Sequence, residues 1–179
     1  MTYRGFTLIE VLVALFVLAI GLLGLAMLQT TGLRFNTNSY TRTQATLLAY
    51  DIIDRMRTNR VGFVAGNYDI PNPAAYNTLW TLYSACKSSG CNCDTSTCDA
   101  ATLARYDLGR WYARQYDPTN TTAPLLVGAT AAYAGGARVA TIVRDGANPN
   151  LVTVTIVWDE TDSGTVEPKT QSWQAEIIQ

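Results

Sequence analysis

From Val11 to Leu33 the chain carries no charged side chain, and only Gln29, Thr30 and Thr31 interrupt a run of apolar residues and glycine. A helix needs roughly 20 such residues to cross the hydrocarbon of a bilayer, so this segment is long enough to span one. Any fold open to the chain must cover the segment with lipid or with other helices. Arg4 favours a cytoplasmic N-terminus by the positive-inside tendency, while Arg34 and Arg42 beyond the span pull the other way.

Helical spacing continues past the apolar run. Ala45, Leu48, Ala49, Ile52, Ile53 and Met56 recur three and four residues apart, which places them on one helical face. Arg55 and Arg57 fall in what would be the last turn, where cations complement the carbonyl end of the helix dipole. Asn59 and Gly62 read as stop signals. An unbroken helix from Phe6 to about Thr58 would be ~80 Å long, about twice a bilayer crossing. Its inner half then lies in lipid or against other helices, and its outer half offers one apolar stripe to a head domain.

The remaining two thirds change character twice. Phe63 to Gly90 is irregular, mixing Gly66, Pro71 and Pro73 with Tyr68, Tyr76, Trp80 and Tyr83, and reads as a long packed loop with a short helix around Tyr76 to Tyr83. Asp99 is placed as the N-cap of a second helix, whose Ala104, Leu108, Trp111 and Tyr112 share a face and which should end before Pro118. In the last third Val152, Val154, Ile156 and Trp158 alternate with Thr153, Thr155 and Val157, the pattern of a half-buried strand. Arg138 to Arg144 and Thr170 to Ile178 are comparable runs, separated from it by Asp145-Gly146, Asn148-Pro149-Asn150 and Asp162-Ser163-Gly164 turns. The expected fold is therefore α+β, with an antiparallel meander packed on the long helix.

Composition narrows the function. At 179 residues there is room for one domain and an extra element. A net charge of -1 supplies no broad basic surface, so nucleic acid is not an expected partner. The chain has no histidine, which removes Ser-His-Asp and Cys-His catalysis and His-ligated zinc. No convergent nucleophile and base can be read from the remaining residues, so no catalytic residues and no cofactor are assigned. An enzyme or ligand-binding domain on a membrane tether is the alternative of another class.

The residues before the apolar run carry the sharpest signal. Met1-Thr2-Tyr3-Arg4-Gly5 is polar with one fixed positive charge, Phe6 follows, and Glu10 stands at the head of the span. Gly5-Phe6 with Glu10, followed by VLVALFVLAIGLLGLAMLQ, resembles the type IV prepilins, in particular the PilV-like minor pilins of type IV pili. The resemblance is strong from Arg4 to about Arg57 and loose over the head. It implies that a prepilin peptidase cuts after Gly5 on the cytoplasmic side and methylates the new amino terminus at Phe6. It also implies that Glu10 guides the docking of a subunit into a growing filament.

The same residues have a physical reading. Glycine removes side-chain obstruction on one side of the scissile bond, and the apolar core lies beyond that bond, so cleavage keeps the anchor. A secretory signal loses its apolar core on cleavage, and Gly24-Leu25-Ala26 is a small-x-small site that gives that reading a foothold. Glu10 argues against it, because a carboxylate at the start of a spanning helix is costly in lipid and usually has a partner. The candidate partner is the amino group of Phe6, on this subunit or a neighbour; the alternative is snorkelling to the interface. Gly21 and Gly24 thin the helix surface without forming GxxxG, and Met27 stands near where major pilins have a proline.

The resemblance divides the chain into a leader (1–5), a transmembrane and polymerisation half of the long helix (6–33), an amphipathic half (34–60) and a periplasmic head (61–179). The implied partners are the prepilin peptidase, other minor pilins and the major pilin, the inner-membrane assembly platform and the lipid bilayer. The implied location is the inner membrane, single-pass, and then the tip of the pilus. A minor pseudopilin of a type II secretion system shares the leader and the anchor and is the nearest alternative.

Cys86, Cys91, Cys93 and Cys98 sit within one short loop, which suits disulfides in an oxidising compartment better than a four-thiolate zinc knuckle. Of the possible connectivities, a Cys91 to Cys93 bond is the least attractive because its ring would be very small. Asp94, Asp99, Asp107, Asp159, Glu160 and Asp162 could suggest catalysis or calcium, but Asp159 to Gly164 lacks the full EF-hand spacing and reads as a solvated turn. No metal site is assigned. Trp80, Trp111, Tyr112, Trp158 and Trp173 read as core and interface rather than a stacking platform.

Overall fold

A computed structural model describes residues 5, 7–72, 78–79, 81, 92–115, 140–162 and 165–178. Its elements are α1 (Leu8–Thr58), α2 (Arg60–Val64), α3 (Ala100–Gln115), β1 (Thr141–Arg144), β2 (Leu151–Asp162) and β3 (Thr165–Glu176). They fall into two compact units, Met1–Ser39 and Tyr40–Gln179.

The described part of the first unit is helical from Leu8 on, and none of its side chains is buried. Leu8, Leu23, Met27 and Leu28 are among its most exposed apolar residues. The helix therefore begins two residues beyond Phe6, which itself lies outside the described residues. Thr30, Thr31 and Thr37 turn their hydroxyls back to donate to the carbonyls of Ala26, Met27 and Leu33 at 2.9, 3.0 and 3.0 Å.

The second unit is built on the last turns of α1. Ala45, Leu48, Ala49, Ile52, Ile53 and Met56 are all buried, as their spacing requires, and join one core with Phe63, Tyr68, Ile70, Leu108, Trp111, Ile142 and the inner face of β2. Burying an aliphatic side chain of this size contributes about 1.5–3 kcal/mol, so this stripe is a main source of the head's stability. Trp111 of α3 reaches α1 directly, its indole Nε1 donating to the Leu48 carbonyl at 2.8 Å.

The sheet is antiparallel in the order β1-β2-β3. Val152, Val154, Ile156 and Trp158 point into the core and are buried, while Thr153, Thr155 and Val157 between them are half-buried. Several boundaries differ from the sequence reading, β1 starting at Thr141 and β3 ending at Glu176 rather than Ile178. β2 runs on to Asp162, and β3 starts at Thr165 rather than Thr170, with Pro168 paired opposite Asp159. Proline lacks an N–H to donate, and an edge strand tolerates it. The far side of β1 is covered by Ile70, which exchanges two backbone hydrogen bonds with Ile142 at 2.8 and 3.0 Å.

Gly62 does not stop the long helix. α1 ends at Thr58, the chain turns at Asn59, and Gly62 lies inside α2, where the Asn59 side chain accepts from its amide at 3.2 Å. A glycine is needed there for space, since a Cβ would stand 2.7 Å from the Ala100 carbonyl. Gly66 follows with φ +81°, and a Cβ on it would meet Arg144 Nη2 at 2.8 Å. Arg144 grips this corner through a bidentate pair with Asp69 (Nε to Oδ1 2.9 Å, Nη2 to Oδ2 2.7 Å) and a bond to the Val64 carbonyl.

Asp99 caps α3, its Oδ1 accepting from the Thr102 amide at 2.7 Å. Ala104, Leu108, Trp111 and Tyr112 form the buried face of that helix. Of the short helix expected around Tyr76 to Tyr83, Thr78, Leu79 and Thr81 are helical, and the rest lies outside the described residues. Trp80 and Arg138 also lie outside them.

Candidate processing and assembly site

Gly5 and Glu10, the described N-terminal candidates, lie on either side of the start of α1. Gly5 is exposed and non-helical, with nothing within 4 Å of a would-be Cβ. Gly5 thus adds no obstruction on its own side of the bond. The Thr7 carbonyl then accepts from the Glu10 amide at 3.1 Å and the Val11 amide at 3.4 Å, opening α1. Glu10 is the acidic residue of the first turn, where its charge complements the unpaired amides at the positive end of the helix dipole. Its side chain is exposed.

The exposed apolar surface beyond Glu10 bears on the environment of this site. Soluble monomers rarely expose a contiguous apolar patch of more than a few hundred Å², whereas every described side chain from Leu8 to Asn36 is exposed. The segment is long and apolar enough to cross a membrane, and with the N-terminal motif it supports a membrane anchor.

The cysteine loop is a separate feature of the head. Cys93 and Cys98 form a disulfide with Cα atoms 5.6 Å apart. Two thiolates of the four-cysteine zinc alternative are thereby used up. Cys86 and Cys91 lie outside the described residues. The loop is also tied to α3: Tyr106 Oη lies 2.9 Å from Asn92 Oδ1 and 2.6 Å from Asp94 Oδ2, and Arg110 Nη1 donates to Asp94 Oδ1 at 2.7 Å. Arg110 also lies over the Tyr106 ring.

Sequence reasoning missed two charged clusters. The first joins α1 to the hairpin: Arg42 donates to both carboxylate oxygens of Glu160, at 2.7 and 2.9 Å, and Trp158 Nε1 donates to Glu160 Oε1 at 3.0 Å. Chiefly through the Arg42 hydrogen bonds, the Glu160 carboxyl is held below the usual carboxylate range. The signal was present, because continuing the alternation of Val152 to Trp158 brings residue 160 to the core side. Glu160 is thus a buried ion-pair partner rather than part of a solvated turn.

The second cluster is buried between α1, α3 and the turn after α2. Arg55 Nη1 donates to Asp107 Oδ1 at 2.8 Å, Tyr68 Oη donates to Asp107 Oδ2 at 2.7 Å, and Asn59 Nδ2 donates to Tyr68 Oη at 3.1 Å. Burial first, and then the neighbouring Asp107 carboxylate, push the Tyr68 hydroxyl far above the ordinary phenol range. Tyr68 therefore remains a neutral donor. Each group in this cluster is spent on another, which suits fastening rather than chemistry. Among the described residues no set of three or more His, Cys, Asp or Glu side chains converges to hold a metal ion.

Comparison with known families identifies the N-terminal feature. Residues 1–26 match the family model of the prokaryotic N-terminal methylation motif. No curated protein and no solved structure matches the chain. The motif covers Gly5, Phe6, Glu10 and most of the apolar run, and it supports a precursor of the type IV pilin or pseudopilin type. It indicates a structural protein that is processed by a prepilin peptidase and assembled with other pilins.

Proposed function

We propose that this chain is a minor subunit of a type IV pilus, of the PilV-like kind. It is inserted in the inner membrane with its head in the periplasm, cut after Gly5, methylated at Phe6, and added to the initiation or tip complex. The observation that carries the reading is the methylation motif over residues 1–26, set at the start of a helix whose apolar surface is exposed. Glu10 is the docking group, drawn to the new amino terminus of a neighbouring subunit because the two opposite charges lie at the same depth. Partners are other minor pilins, the major pilin and the inner-membrane assembly platform. Cys86 and Cys91 form a second bridge beside Cys93–Cys98, bracing the head after export.

The test is the mass and N-terminal sequence of the protein from membranes of cells with and without their prepilin peptidase. A methylated Phe6 start that depends on the peptidase is expected. A start at Met27 would mean that the apolar segment is a discarded secretory signal and would end the filament reading. A deletion strain then separates the two assemblies that use this motif: loss of surface pili, adhesion or twitching is expected, whereas normal pili with blocked exoprotein secretion would assign the chain to a type II secretion system.

A further inference from the structure

The two edges of the sheet are protected unequally. β1 is only four residues long, and its Ile142 exchanges backbone bonds with Ile70. β3, at the other edge, runs for 12 residues and among the described residues pairs with β2 alone. A free strand edge is a template for another chain, and native proteins blunt such edges with short length, charge or proline. Glu167, Pro168 and Lys169 do so at one end of β3, whereas Thr170 to Ala175 contains neither proline nor a charged residue.

The ladder fixes which backbone groups face outward. Residues of an antiparallel strand point their N–H and C=O alternately to one side and the other. Asp145, just past β1, donates to the Leu151 carbonyl at 2.9 Å, and Ile177, just past β3, donates to the Asn150 carbonyl at 2.9 Å. Counted back from Ile177 in the register that pairs Trp173 with Val154, Ala175, Trp173 and Gln171 face β2. Gln174, Ser172, Thr170 and Pro168 face away. Pro168 therefore costs no ladder bond, and Thr170, Ser172 and Gln174 line the free edge with N–H and C=O groups for which the described residues supply no partner. Their side chains are exposed on the outer face, while on the inner face Trp173 and Ala175 join the core only in part.

From this geometry we infer that Thr170–Ala175 is a strand-addition site for an extended segment of a different subunit, one that sets an apolar residue beside Trp173. The inference rests on the reading above that the chain assembles with other pilins. The open stretch covers ~20 Å, the length of an ordinary strand. A second copy fits the edge poorly. Its β1 edge is short and already bonded to Ile70. Pairing β3 with β3 needs a two-fold axis normal to the sheet, which points the turns of α1 packed on that sheet in opposite directions. Subunits that leave one membrane together do not meet in that way.

The experiment replaces Ser172 in the full chain. In Ser172→Pro the ring removes an edge donor and stands in the path of an added strand, yet the β2–β3 ladder keeps its bonds, as it does at Pro168. The purified variant should melt within ~4 °C of the parent. In cells it should bring surface pili down to the level of the deletion strain, while Ser172→Ala keeps the parent's level. In the otherwise unaltered chain, p-benzoylphenylalanine in place of Gln174 should cross-link during assembly to one short stretch of another subunit, and Ser172→Pro should abolish that adduct. The cross-link decides the matter even where the proline variant melts far below the parent. Normal pili with a stably folded Ser172→Pro, no adduct at Gln174, or an adduct confined to β3 of a second copy would overturn the strand-addition site and leave the pilin reading standing. Normal pili in the deletion strain would sink that reading, and the site with it.

Discussion

Arg42 and Glu160, 118 positions apart, face each other through two hydrogen bonds of 2.7 and 2.9 Å, so the far end of β2 is fastened to α1 by charge. The pair is asymmetric. The Arg42 side chain is 61% exposed and that of Glu160 is 4% exposed. Removing Arg42 strands a buried carboxylate, whereas removing Glu160 frees a cation that water can solvate.

Arg42→Ala should therefore cost more than Glu160→Gln. Exposure of the arginine keeps the loss below that of a fully buried pair, at about 1–2 kcal/mol for Arg42→Ala. Chemical denaturation of the two single variants and the double variant measures the coupling. Additive effects would show that the two side chains do not act as a pair.

Three groups should shape the pH dependence of head stability, two at the acid end and one at the alkaline end. The folded Glu160 carboxyl lies below its usual value, so its stabilisation is complete above the unfolded value of about 4.3 and drains as pH falls through the folded one. The Thr102 amide bond lowers the Asp99 carboxyl in the same direction. Tyr68 is raised, so its stabilisation is complete below about pH 10 and is lost above it, where the unfolded phenol ionises and the folded one does not. Melting temperature followed from pH 3 to 11 should fall at both ends. Glu160→Gln should flatten the acid limb and Tyr68→Phe the alkaline one.

Gly62→Ala should be among the most damaging single-methyl additions. The new Cβ would stand 2.6 Å from Asn59 Nδ2 and 2.7 Å from the Ala100 carbonyl, and overpacking against backbone costs about 2–3 kcal/mol. Gly146→Ala, with nothing within 4 Å of its Cβ, is the control and should stay within about 0.5 kcal/mol of the parent. Equal midpoints for the two variants in urea would contradict the close approach of α2 and α3.

Replacing both Cys93 and Cys98 by serine opens a loop with a sequence separation of 5. Loop-closure entropy predicts a loss of about 2 kcal/mol. The loop's bonds to Tyr106 and Arg110 should preserve the fold, so the double variant is expected to melt lower but with one transition. Peptide mapping without reduction should recover Cys93 and Cys98 joined.

The long helix and the central strand were legible because their signals are local and repeated. Ile52, Ile53 and Met56 recur at a helical period, and Val152 to Trp158 alternate, so each residue's neighbours predict its side. Gly62 was misread because its reason lies elsewhere: the Ala100 carbonyl that excludes a side chain is 38 positions away. The start of β3 was hidden by Glu167, Pro168 and Lys169, poor strand residues that ladder pairing with β2 accommodates. The pairing of Cys93 with Cys98 is a matter of loop geometry that spacing left open. At the N-terminus the balance reverses, since Gly5, Phe6 and Glu10 are legible through the motif that residues 1–26 match.

Asn59 ends α1, accepts from Gly62 at the start of α2, and donates to Tyr68 and to the carbonyl of Ala100, the first residue of α3. One amide thus closes a ring of four segments, none of which can leave without stranding a buried donor or acceptor. Heat or force applied to any one of them is shared by the others, so this corner should come apart in a single event rather than by fraying.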